Sequence, residues 1–159
     1  MNMIQRILCP TDFSDTAAKA VQYAERLAIQ TGADLYLAHA FDTPAELTVL
    51  AQTHPLDSQH KEQLDAQLVD STLANRVIRL LHAGPAGDVI SWLAQEHRCD
   101  LIIMGTHGRS GLRHMFFGSV AEHVLRHART PVLTIRDRPE NEPPLQQPLV
   151  IPIKAPRFM

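Results

Sequence analysis

The chain has 159 residues, 45% of them hydrophobic and 20% charged, with a formal net charge of -2. That length suffices for one domain with its own core, and the charge balance excludes a nucleic-acid-binding surface spread over the whole molecule. Two cysteines, Cys9 and Cys99, exclude a disulfide framework, and no apolar run approaches the roughly 18 residues of a membrane span.

The 9 histidines would make the chain net positive after a modest fall in pH. The opening MNMIQRILCPTDFSD has no cationic stretch leading into a long apolar core. A signal peptide is therefore not expected, and the cytoplasm is the expected compartment.

In chain order, MIQRILC (3–9) reads as a buried strand ending at Pro10. Ser14 offers an N-cap, and Ala17, Ala18, Val21, Ala24, Leu27 and Ala28 recur at helical spacing before Gly32 stops the helix. DLYLAHAF (34–41) is a second strand. Residues 42–56 hold Pro44 and Pro55 and read as a long loop with room for a short turn of helix. A more polar helix is expected over 57–75, with Leu64 and Leu68 at i,i+4. RVIRLLHA (76–83) is a third strand, and Gly84-Pro85 opens a helix carrying Val89, Ile90, Leu93 and Ala94. CDLIIMG (99–105) is a fourth strand, SVAEHVLRHAR (119–129) a fourth helix, and PVLTIR (131–136) a fifth strand.

Strand–helix alternation of this kind predicts an α/β fold, a mainly parallel five-stranded sheet doubly wound with helices on both faces. The runs LIIM and RVIRLL lack a strict period-2 polar face, as expected of strands covered on both sides. Beyond Arg136 the composition changes, and six of the chain's 11 prolines fall in 137–159. That segment reads as a Pro-rich extension to a domain spanning 1–136, extended over its first half. PLVIPIK within it is apolar enough to lie as an edge strand or clamp on a neighbouring subunit.

Ligands of open parallel sheets bind beyond the carboxyl ends of the strands, where the strand order switches direction. Two stretches have suitable composition there: PTDFSDT after the first strand, and GTHGRSGLRHMFFGS after the fourth. Gly105 and Gly108 lack a Cβ, which allows positive φ and close approach to an anion. Gly118-Ser119 opens a helix whose free N–H groups favour phosphate. The Ser119 hydroxyl is a donor, and His107, Arg109 or Arg113 can supply charge. Asp12 can accept from a ribose hydroxyl or hold a metal ion beside phosphates.

Each residue also has a simpler reading. Ser119-x-x-Glu122 is a capping box, so Ser119 can merely close its helix. Gly105 can be a strand terminator and Asp12 a turn former. Other phosphate motifs fail: GTHGRSGL lacks the Lys-Ser/Thr of a P-loop, and no GxGxxG follows the first strand. His123 and His127 have metal-ligand spacing but no third ligand nearby in sequence, and read as solvated or packing histidines. Cys9 and Cys99 fall at opposite ends of their strands. Arg76 and Arg79 read as strand-end solvation.

Together these stretches resemble the universal stress protein family, over nearly all of 1–136. The likeness runs from ILCPTDFSDTAAKAVQYAERLA through DLIIMGTHGRSG to GSVAEHVLRHARTPVLTIR. Gly105, Gly108, Gly118 and Ser119 fit the G-x2-G-x9-G-[S/T] motif of its ATP-binding subgroup, and Pro10-Thr11-Asp12 matches its strand–acid turn. The resemblance implies an adenine-nucleotide alpha-hydrolase-like sheet of order 3-2-1-4-5, with ATP between the first and fourth loops and room for Mg2+ beside Asp12. Asp12 would face the nucleoside, and Ala40 and Met104 would frame the adenine. Gly105, His107, Gly108, Arg109, Gly118, Ser119 and Val120 would line the phosphates and ribose. It also implies a homodimer through strand 131–136.

Fast hydrolysis needs an oriented water, a positioned base and a stabilised leaving group. Asp12 and His107 are the only evident bases, and each has a simpler binding role. The expectation is an ATP-binding stress-response protein with slow hydrolysis at most, acting through an unknown protein partner and without nucleic acid or membrane. The alternative is a nucleotide-free dimeric scaffold of the same fold. A flavodoxin-like carrier would want aromatics around a flavin, and aromatics are 5%, with Trp92 on the third helix.

Overall fold

A computed structural model describes residues 3–41, 55–67, 70–106 and 118–136, with the side chains of 55–58 left aside. Five strands form one sheet: β1 (Arg6–Pro10), β2 (Asp34–Phe41), β3 (Val77–Ala83), β4 (Leu101–Gly105) and β5 (Val132–Ile135). Their order is β3-β2-β1-β4-β5, and every pairing is parallel. The helices are α1 (Asp15–Thr31), α2 (Pro55–Ala66), α3 (Ala86–Glu96) and α4 (Ser119–His127), with a 3-10 helix at Ser71–Arg76.

Alternate residues of each central strand face opposite layers. Ile7, Leu35, Leu37 and Ile103 pack with α1 and with Leu64 of α2. Leu8, Ala38, Ile102 and Met104 pack with α3 and α4. The sheet is thus covered on both faces, which is why its central strands carry no polar stripe. Each fully buried Leu or Ile contributes about 1.5–3 kcal/mol.

Local chemistry sets the ends of α1. Ser14 Oγ accepts from the Ala17 N–H at 3.2 Å, and Gly32 ends the helix in the left-handed region at φ 77°, where glycine carries no Cβ penalty. The buried face of α1 is mostly alanine: Ala17, Ala20, Ala24 and Ala28. Small side chains let the helix lie close to the sheet.

Some expected boundaries move. The helix expected over 57–75 is two pieces, because the Asp70 side chain accepts from the Thr72 N–H at 2.8 Å and starts a separate 3-10 turn. The first piece begins at Pro55, inside the expected loop; proline at a first helical position forgoes an N–H that has no acceptor there. The rest of that loop, 42–54, lies outside the described residues, as do Leu68 and the 137–159 extension.

The fourth strand starts at Leu101 rather than Cys99. The Cys99 N–H donates to the Ala94 carbonyl at 2.8 Å, which keeps it with the end of α3. Asp100 turns its carboxylate back to accept from the N–H groups of Gln5 at 2.8 Å and Arg6 at 2.9 Å. Cys9 and Cys99 are free and buried, in the cores on opposite faces of the sheet. Burial pushes both thiols up, Cys99 to about 11.

Arg76 and Arg79 do more than solvate a strand end. Arg76 Nη1 donates to the carbonyls of Ala28 at 3.3 Å and Ala33 at 3.0 Å, tying the end of α1 to the start of β2. Arg79 Nε donates to the Leu64 carbonyl at 3.2 Å.

Candidate functional site

β1 and β4 are neighbours, while the chain leaves β1 toward β2 on one side and reaches β4 on the other. Such a switch point leaves a crevice beyond the carboxyl ends of the strands. A cavity of about 250 Å³ lies there. Pro10, Thr11 and Asp12 line it from the end of β1, and Met104, Gly105 and Thr106 from the end of β4. Gly118, Ser119 and Val120 line it from the start of α4, and Ala40 from β2.

Nine of the residues singled out in the sequence therefore meet at one cavity: Pro10, Thr11, Asp12, Ala40, Met104, Gly105, Gly118, Ser119 and Val120. His107, Gly108 and Arg109, like Arg113, lie outside the described residues. Five lining residues were not singled out for the site: Ala17, Ala86, Ile90, Thr106 and Ala121. For Ala86 and Ile90 a signal existed, since Gly84-Pro85 starts α3 at the carboxyl end of β3. Nothing in the sequence pattern distinguishes Ala17 from its neighbouring alanines.

Asp12 sits in a turn built from its own neighbours. The Ser14 N–H and hydroxyl both donate to Asp12 Oδ1, at 3.1 and 2.6 Å. Ser14 thus caps α1 and holds the carboxylate together. The Phe13 N–H donates to Thr11 Oγ1 at 3.1 Å, and Phe13 itself is left-handed at φ 65°. A phenylalanine there costs about 1–3 kcal/mol, a strain that surrounding contacts must offset.

Gly118 opens α4 as expected, but Gly105 acts differently from expectation. Gly105 does not adopt a positive φ; among the described glycines only Gly32 and Gly84 do. A Cβ at Gly105 would lie 3.0 Å from Thr16 Cγ2 and 3.3 Å from the Thr16 carbonyl carbon. Its glycine is needed because α1 crosses close above the end of β4.

Gly118 is the N-cap of α4, at φ -70°, and supplies no capping side chain. Ser119 is consequently the first helical residue, and the capping-box reading fails. Glu122 instead accepts from Arg126 Nη2 at 2.8 Å. The first-turn N–H groups of a helix have no acceptors within it, so α4 presents backbone donors and the positive end of its dipole at the cavity.

Backbone hydrogen bonds tie the end of β4 to the start of α4 and to β5. The Gly118 N–H donates to the Thr106 carbonyl at 2.7 Å, and the Thr106 N–H donates to the Ile135 carbonyl at 2.9 Å. His123 and His127 pack together, ring centroids 4.2 Å apart, and His123 Nε2 bonds Asp88 Oδ1 at 2.8 Å. No cluster of three or more His, Cys, Asp or Glu fit for a metal ion exists among the described residues. Trp92 is half exposed on α3 against His82 and does not line the cavity.

A doubly wound parallel sheet with a helix start at its switch point defines the open α/β class, whose ligands lie beyond the carboxyl ends of the strands. Residues 3–136 match the model of the universal stress protein family, and the chain belongs to that family. Universal stress protein MJ0531 of Methanocaldococcus jannaschii is 30% identical over 149 residues, covering 89% of this chain and 86% of the relative.

Among solved structures, that of hypothetical protein MJ0577 superposes with a TM-score of 0.72 at 26% identity, covering 87% of this chain and 99% of the other. A universal stress protein crystallised in complex with cAMP superposes with a TM-score of 0.57 at 26% identity, covering 83% and 96%. Among the described residues no helix is long and apolar enough to cross a membrane.

Proposed function

We propose that the cavity binds an adenine nucleotide, ATP by its G-x2-G-x9-G-[S/T] spacing, and that the chain is a nucleotide-responsive stress protein. The observation that carries this reading is the meeting of Asp12 and the uncapped start of α4 across one cavity at the switch point. Phosphate oxygens accept from the N–H groups that Gly118 leaves uncapped, aided by the α4 dipole and the Ser119 hydroxyl. Asp12 takes the nucleoside end, with Ala40 and Met104 framing the base. The related protein complexed with cAMP supports an adenine nucleotide as the ligand class.

The residues fit a metal only in part. With no three-ligand cluster among the described residues, a Mg2+ here would be shared between Asp12 and the phosphates. Asp12 and Ser14 form a closed local turn, and the described lining otherwise offers no carboxylate or imidazole to activate water. The reading is therefore binding, with slow or no hydrolysis, in a cytoplasmic homodimer formed through the edge strand β5 and signalling to a protein partner.

Native mass spectrometry of freshly purified full-length protein tests this reading, and expects a dimer carrying an adenine nucleotide. Protein without nucleotide that also fails to take up ATP would return the chain to a nucleotide-free scaffold. ATP turnover of about 1 s⁻¹ or faster, the low end of ordinary enzymes, would make it an enzyme.

A further inference from the structure

His39 is the one ionisable side chain in the buried middle of β2, at 6% exposure, and it does not line the cavity. Its Nδ1 donates to the Thr11 carbonyl at 2.7 Å. A carbonyl can only accept, so Nδ1 must carry the proton. The β1–β2 register ends at Pro10↔Ala38, with the Thr11 N–H donating to the Ala38 carbonyl at 2.8 Å. Thr11 is therefore the first residue off the sheet, tied to β2 by its N–H and by the His39 ring at its carbonyl.

Two residues on, the Phe13 ring packs on His39 with centroids 4.5 Å apart. This contact secures the left-handed residue of the turn. His60 of α2 stacks on His39 at 5.0 Å and on Phe41 at 5.1 Å. His39 thus fixes the residues before and after Asp12 at once. A leucine would fill the same space beside the buried Leu37 and Ala38. It would leave the Thr11 carbonyl, in a residue only 5% exposed, without this partner.

We propose that His39 is a positioning residue for the cavity: through Thr11 and Phe13 it fixes the turn that aims Asp12 at the nucleoside end of the ligand. The proposal rests on the adenine-nucleotide reading of the cavity. Its consequence is selective. Adenosine and ATP both meet Asp12, so loss of His39 weakens both by the same factor, whereas a fault at the α4 end would weaken ATP alone.

The test compares full-length wild type with His39→Leu and His39→Asn, whose amide nitrogen stands about where Nδ1 does. Calorimetry with adenosine and with ATP expects about a ten-fold loss for both ligands in H39L, of the size expected when a buried hydrogen-bonding partner is removed, and recovery in H39N. Hydrogen exchange in ligand-free protein expects the Phe13 and Ser14 amides to speed up at least about ten-fold more than those of Leu8 and Ile102 in H39L, with H39N near wild type.

Wild-type affinity and exchange in H39L would overturn the proposal, as would exchange that rises equally at turn and core. If wild type binds neither ligand, the nucleotide reading fails. The exchange comparison then decides by itself whether His39 fixes the turn.

Discussion

The sheet treats its two ends differently. At the amino end, side chains close onto the backbone: Asp100 accepts from two N–H groups before and at the start of β1. Arg6 Nη1 donates to the His97 carbonyl at 3.3 Å, and Arg76 gathers two carbonyls around the start of β2. Among the described residues at the carboxyl end, polar side chains close the β1 turn, and α4 begins at a glycine that brings no side-chain cap. One end uses its charges to complete the fold. The other leaves backbone donors facing a cavity, as an anion-binding site requires.

The largest effect should come from closing the open end. Gly105→Val would drive a branched side chain into Thr16 and the α1 backbone, with an expected loss of about 1–3 kcal/mol of stability from overpacking and loss of ATP binding. Chemical denaturation together with calorimetry checks both. Wild-type stability in that variant would show that α1 is not confined over β4.

At the amino end the expectation separates stability from binding. Asp100→Ala removes the acceptor of two backbone N–H groups and should cost about 1–2 kcal/mol while leaving nucleotide affinity unchanged. A fall in affinity as large as the fall in stability would break the division between the two ends.

The smallest effect is one of pH. Burial raises the Cys99 thiol from 9.0 to about 11 in the folded chain. A raised value means that the folded state holds its proton more tightly than the unfolded state. This contribution to stability is complete below pH 9 and is lost as pH rises toward 11. Cys9 and Tyr36, also raised by burial, act in the same direction. Thermal melts should therefore fall through that range, and Cys99→Ala should flatten the fall. Native protein at pH 8 should resist thiol alkylation, with roughly a thousandth of Cys99 as thiolate.

Periodicity and punctuation made the fold legible. Ser14 and Gly32 bracket α1 as their chemistry requires, and unbroken apolar runs mark strands covered on both faces. The split of the second helical region was harder to see, because Asp70 caps through a local bond that competes with helix continuation without changing composition. Asp100 likewise looked like part of a strand, though its carboxylate serves the neighbouring one.

At the site, the glycine spacing and Asp12 were readable because they lie in two loops at predictable strand ends. The reasons behind them were not. Gly105 answers to a helix crossing above it rather than to its own φ, and Ser119 yields the cap to Gly118. His39 stayed invisible as a site residue, since its partner Thr11 is 28 positions away and only the β1–β2 pairing brings them together.

The central claim, that the cavity at the carboxyl ends of β1 and β4 holds an adenine nucleotide, is tested most directly by titrating ATP into wild type and Ala40→Phe. The variant fills the cavity from β2 and leaves the Asp12 turn and α4 unsubstituted. The account predicts one ATP per chain for wild type and at least about a hundred-fold weaker binding, or none, for the variant, with thermal stability retained. Equal binding by the two proteins would place the nucleotide elsewhere and contradict the account.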